Sequence, residues 1–110
     1  MGRYISTTGT AGVVTKEVST TYSAAVNDRI LADSTGGAFT ITLPLSTGLL
    51  VNDTIQLIDA TSQAGTNNIT VGRNGALIQG SAEDLTVDLA GAIMTLIYTG
   101  ATYGWIVGAV

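Results

Sequence analysis

The run Phe39-Thr40-Ile41-Thr42-Leu43 alternates apolar and hydroxyl side chains with a period of two. Nothing else in the chain restricts its fold so strongly. Successive side chains of a strand point to opposite faces, so Phe39, Ile41, Leu43 and, past the break, Leu45 share one face. Thr40 and Thr42 take the other. A helix has no use for this pattern, because its apolar residues must recur at three and four positions. Gly36-Gly37 supplies a turn before the run, and Pro44, which has no N–H to donate, ends the strand or confines it to an edge.

The same period returns along the chain. Residues 28–33 (DRILAD) place Ile30 and Ala32 on one side, and the STGG turn joins them to 38–43 as a predicted hairpin. Residues 53–60 alternate through Ile55 and Leu57, residues 69–72 through Ile69 and Val71, and residues 84–89 through Leu85, Val87 and Leu89. Asn74-Gly75 is a strong type I′ turn signal, because both positions of that turn need positive φ. It predicts a hairpin between TVGR and ALIQG. Residues 92–100 are apolar on both faces, which suits a central strand or one covered by a neighbouring subunit. WIVGAV closes the chain as a last strand. No stretch carries a capped helical stripe.

Residues 1–25 differ from the rest. They are rich in Ser, Thr, Gly and Ala, with one short strand expected around 12–18 and too little local burial to hold themselves in place. The expectation is therefore an all-β protein: an extended N-terminal attachment arm (1–25), then a domain (26–110) of about seven or eight short strands. That domain is expected to be a small antiparallel β-sandwich or prism, jelly-roll-like.

Composition narrows the function. Only 11% of the 110 residues are charged, and the chain has no histidine and no cysteine. The commonest general base, the thiolate nucleophile and zinc–sulfur sites are thereby excluded. A net charge of −4 with four scattered cations argues against nucleic acid as a partner, since phosphate contacts need a basic footprint. No apolar run is long enough to span a bilayer as a helix, and no signal pattern opens the sequence, so no membrane partner is expected and synthesis is assigned to a cytoplasm. Hydrophobic residues nonetheless make up 45% of the chain. A small domain so poor in charge is expected to hide part of its surface in an oligomer.

The remaining candidates for chemistry are few. Glu83, Asp84 and Asp88 lie close in sequence, but Glu83 points away from the strand face that the other two share. Asp53 and Asp59 sit at opposite ends of one strand, too far apart for an acid–base pair. No catalytic residue, metal site or cofactor is expected, and the chain is read as a non-enzyme. Tyr103 and Trp105 are candidate glycan contacts, the competing reading being that Trp105 caps the core. Ile93, Met94, Leu96, Ile97 and Tyr98 are the candidate oligomer interface. Arg3, Tyr4, Ile5, Val13, Val14 and Lys16 are the candidate attachment residues, because an extended arm can add to another protein's sheet edge.

Three segments carry a resemblance: DRILADSTGGAFTITLP, then NDTIQLID with NNIT, and finally MTLIYTGATYGWIV. Together they resemble a β-rich module of tailed-bacteriophage structural proteins. The matching residues include Asp28, Ile30, Ala32, Asp33, Gly36, Gly37, Thr40, Thr42, Leu43 and Pro44. They continue through Asp53, Ile55, Asp59, Asn67, Asn68, Thr70, Tyr98, Gly100 and Trp105. Val51-Asn52 stands where that module usually has Gly, which alters a turn. The resemblance implies a virion structural protein, commonly a trimer. One implied role is a capsid decoration or cement protein on the capsid exterior, bound to the major capsid protein. The other is a receptor- or carbohydrate-binding module of a tail fibre.

Overall fold

The computed structural model describes residues 12–109; Arg3, Tyr4 and Ile5 lie outside them. Nine strands follow in order: β1 (Val14–Val18), β2 (Tyr22–Ser23), β3 (Asp28–Ala32), β4 (Phe39–Thr42), β5 (Thr54–Asp59), β6 (Ile69–Gly72), β7 (Leu85–Val87), β8 (Ile93–Tyr98) and β9 (Trp105–Ala109). The only helical turn among the described residues is a 3₁₀ turn at Ser46–Gly48. The protein is all-β.

Its pairing differs from the hairpin scheme. The chain steps between two sheets, with strand orders β1-β3-β5-β8-β9 and β2-β4-β6-β7. β3 and β4 therefore lie in different sheets and do not form the predicted hairpin. Each early strand instead pairs in parallel with the strand two places on: β1 with β3, β3 with β5, β2 with β4 and β4 with β6. Three rungs stack in this way. Among the nine described strands, antiparallel pairing appears where β7 returns along β6 and the β8–β9 hairpin closes on β5.

The corner after β3 explains the departure. Asp33 Oδ1 accepts the Thr35 N–H at 2.9 Å, and the Gly37 N–H donates to the Ser34 carbonyl at 3.1 Å. From the following rung, Asn67 Nδ2 donates to the same carbonyl at 2.8 Å. This corner carries the chain across the core, so the apolar faces of β3 and β4 meet from opposite sides and do not lie side by side in one sheet.

Register aligns the inward residues into rows. Ile30 lies beside Leu57 in the first sheet; Phe39 lies beside Ile69, and Ile41 beside Val71, in the second. One buried cluster draws on both sheets and includes Ile30, Leu57, Leu96, Ile41, Ile69 and Trp105. Burial of these aliphatics is the main stabilising term, at roughly 1.5–3 kcal/mol per fully buried side chain.

Two further expectations change. β1 and β2 fall within residues 1–25, and Val18 and Ala24 from that segment are buried in the common core. That part of the expected arm is a rung of the sheets. The Asn74-Gly75 turn does form, with φ of 49° and 98° and the Ala76 N–H bonded to the Arg73 carbonyl at 3.3 Å. No hairpin follows it. Ile78 bridges to Trp105 and Ser81, and the antiparallel partner of β6 is β7.

Candidate functional site

Five of the eight carboxylates, Asp28, Asp33, Asp53, Asp59 and Asp84, are occupied as turn locks. Asp59 ends β5 on its inward face, since alternation places it with Ile55 and Leu57, and it is 4% exposed. Its Oδ2 accepts the N–H groups of Ala64 at 3.0 Å and Gly91 at 2.9 Å, while Oδ1 accepts that of Gln63 at 3.3 Å. Asp28, also buried, accepts the Tyr22 hydroxyl at 2.7 Å and the Ala25 N–H at 2.9 Å. Asp53 holds the Leu50 N–H, and Asp84 holds the Arg73 N–H. A carboxylate that accepts backbone N–H groups replaces missing ladder bonds at a bend.

Desolvation, together with the hydrogen bond and the negative charge of Asp28, pushes the Tyr22 hydroxyl up to about 12. Hydrogen bonds from Thr35 hold the Asp33 carboxyl below its ordinary range. Asp53 and Asp59 stand at opposite ends of β5, and Glu83, Asp84 and Asp88 are exposed. Among the described residues, no group of three or more His, Cys, Asp or Glu side chains is placed to hold a metal ion.

The aromatic pair separates. Trp105 is fully buried, packed edge-on against Tyr98 with ring centroids 5.6 Å apart and an interplanar angle of 64°. With no exposed face it cannot stack on a sugar, which corrects its candidacy as a glycan contact. The adjacent turn keeps it inside: the Trp105 N–H donates to the Leu77 carbonyl at 2.8 Å, and the Gln79 N–H donates to the Trp105 carbonyl at 2.7 Å. Tyr103 is 62% exposed at the tip of the same hairpin.

β8 is a central strand, flanked by β5 and β9. Leu96 and Tyr98 point into the core of their own subunit and are withdrawn from the candidate interface. Met94 is half-buried against that core. Ile93 and Ile97 face outward, 47% and 40% exposed. Register sets them in two apolar rows: Leu31–Ile58–Ile93, and Ile97–Ile106 beside Thr54. Between them runs a polar row, Arg29–Gln56–Thr95–Gly108, in which Arg29 Nε donates to Gln56 Oε1 at 2.7 Å.

This outer face is the best-formed candidate surface, uncharged apart from Arg29 and from Glu17 at its β1 margin. The sequence reading named Ile93 and Ile97 but missed Leu31, Ile58 and Ile106. Alternation within WIVGAV would have put Ile106 opposite the buried Trp105. At the far edge, Val13, Val14 and Lys16 are exposed on and beside β1.

No known family's sequence profile matches the chain, and no curated protein matches it.

Proposed function

We propose that the chain is a structural protein of a tailed-phage virion, acting as a capsid decoration or cement protein. The observation that carries this reading is the outer face of the first sheet, where Ile93, Ile97 and Ile106 stand exposed in register around a nearly uncharged centre. Exposed apolar rows on a rigid sheet suit a contact surface, and both buried carboxylates, Asp28 and Asp59, are engaged in turns. The resemblance of residues 27–107 to phage structural modules points the same way.

On this reading the two sheets form a small sandwich or prism, and three copies associate through Ile93, Ile97 and Ile106. Residues 1–13, with Val14 and Lys16, attach the trimer to the major capsid protein or another virion protein. Many weak contacts spread across capsid joints add strength by multivalency. The reading includes no catalysis and no cofactor, nucleic acid or membrane. The place of action is the capsid exterior, after synthesis in the host cytoplasm.

A second reading, a receptor- or glycan-binding module of a tail fibre, draws on the exposed Tyr103 alone. Cryo-EM of particles incubated with the purified protein tests both. Density repeating over the capsid lattice is expected. Density confined to the tail would move the assignment to the fibre, and bare particles would overturn both.

A further inference from the structure

The two sheets do not meet where β7 and β9 form their edges. A groove of about 300 Å³ runs between them, its sides and floor including Val87, Leu89, Ile93, Met94 and Val107, with Asp88 beside them. Val87 is buried at its base, while Leu89 and Ile93 are 69% and 47% exposed. Neither β7 nor β9 has another strand beyond it in its sheet. The Leu77–Gln79 segment already bonds the Trp105 end of the outer β9 edge, and Gln79 Oε1 covers the Val107 N–H at 3.0 Å, so the open edge at the groove is that of β7. The groove has the form of a slot for one extended segment, which would pair with an edge and drop alternate side chains onto an apolar floor.

We propose that this groove receives residues 1–11 of a second copy of the chain. Three observations select that occupant. Residues 1–11 are uncharged except for Arg3, whereas all eight carboxylates of the chain fall later, Asp88 among them. Arg3 therefore meets the one carboxylate of the groove, Asp88, and Tyr4 and Ile5 supply apolar side chains for the floor. Eleven extended residues span about 36 Å, more than the short edges of β7 and β9 require.

The third observation separates a second copy from the same one. β1, which residues 1–13 enter, is at the opposite edge of the sheet from β9, four strand spacings or about 19 Å away. The register also places Val14 at the level of Asp28, so the chain enters β1 from the end bearing the 99–104 turn, while Ile93 and Met94 lie at the level of Glu17 and Lys16. To fill its own groove, the segment would have to cross a sheet face unpaired and then double back. A neighbour's segment needs no such crossing. Such exchange is heterologous and closes into a ring when the rotation allows. The proposal refines the functional reading above, on which it rests in treating the N-terminal residues as the contact-making segment: residues 1–11 join copy to copy, and Val13, Val14 and Lys16 are left to attach the assembly to the particle.

The cysteine-free sequence makes the test direct. One batch of full-length protein carries Ile5→Cys and another Leu89→Cys; they are mixed without phage particles and oxidised with copper–phenanthroline. A disulfide-linked pair of one copy from each batch is expected, forming at least tenfold faster than when Thr47→Cys, exposed near the opposite end of the molecule, replaces Leu89→Cys. Arg3→Glu in the first batch is expected to slow that linkage several-fold at low salt. Equal rates for the two partners, or thiols that stay free, overturn the proposal. So does a double variant, Ile5→Cys with Leu89→Cys, that closes only within single chains. Because no particle is present, any of these failures leaves the decoration reading standing.

Discussion

The carboxylate of Asp59 accepts the backbone N–H of Gly91 at 2.9 Å, across thirty-two residues of sequence. The bond ties the end of β5 to the turn that feeds β8, beside the Asp59 N–H to Ala92 carbonyl bond at 2.8 Å. Asp59→Ala leaves three backbone donors without this acceptor at a buried corner. A loss of about 3 kcal/mol in urea unfolding is expected, with Asp59→Asn losing less because one oxygen remains.

A Cβ on Gly104 would fall 1.9 Å from the Leu77 carbonyl oxygen, at a φ of +69°. Backbone cannot yield as a flexible side chain does. Gly104→Ala is expected to cost about 3 kcal/mol or more, or to abolish folding. Gly36→Ala, which meets nothing within 4 Å, is expected to stay within about 0.5 kcal/mol of the parent. Paired thermal melts check both.

Tyr22 gives a pH dependence with a definite sign. Its hydroxyl is pushed up to about 12 in the folded chain, above the ordinary tyrosine value of about 10, so the folded state holds the proton more tightly. Its contribution is complete below pH 10 and is lost as pH rises through about 12. Urea midpoints compared between pH 9 and pH 12 are expected to fall further for the parent than for Tyr22→Phe. Equal falls would show that the hydroxyl is not coupled to folding.

Trp105, the one tryptophan, is fully buried. Its emission is expected at short wavelength and resistant to iodide quenching. Oligosaccharides that contact Tyr103 should leave that emission unchanged. A quenchable Trp105 would contradict its placement.

Ile97→Asp tests the outer face. The side chain is 40% exposed, so stability is expected to change by about 1 kcal/mol or less, while the mass read by light scattering falls. An unchanged mass would remove Ile97 from the interface.

Strand positions were legible because alternation in 28–33, 38–43, 53–60 and 92–100 records which side of each strand is apolar. Neighbours were not legible. Period two says that Ile30 and Phe39 both face a core, but not whether they do so from one sheet or from two. The decision sits in the 33–38 corner, held partly by Asn67 from the next rung, which no local window contains. The rungs also begin at unequal intervals, with Val14 beside Asp28 but Arg29 beside Gln56, so no sequence repeat announces them. The inward carboxylates were within reach: alternation puts Asp28 with Ile30 and Asp59 with Leu57, and a buried acid on a strand demands donors. Trp105 went the other way, since nothing in WIVGAV separates a core tryptophan from a stacking platform. That depended on the Leu77 and Gln79 backbone folding over it.

The burial of Trp105 also bears on synthesis. β5 has no neighbour on its second edge until β8 has been made, and the core has no centre until Trp105 leaves the ribosome. The rungs built from residues 14–72 must therefore wait, half-covered, while the following thirty or so residues emerge at about 5–20 per second. During those seconds the nascent chain displays Leu57 and Ile55 to any holdase nearby. Slowed translation between Arg73 and Trp105 is then expected to lower the soluble yield, which synonymous recoding of that stretch measures.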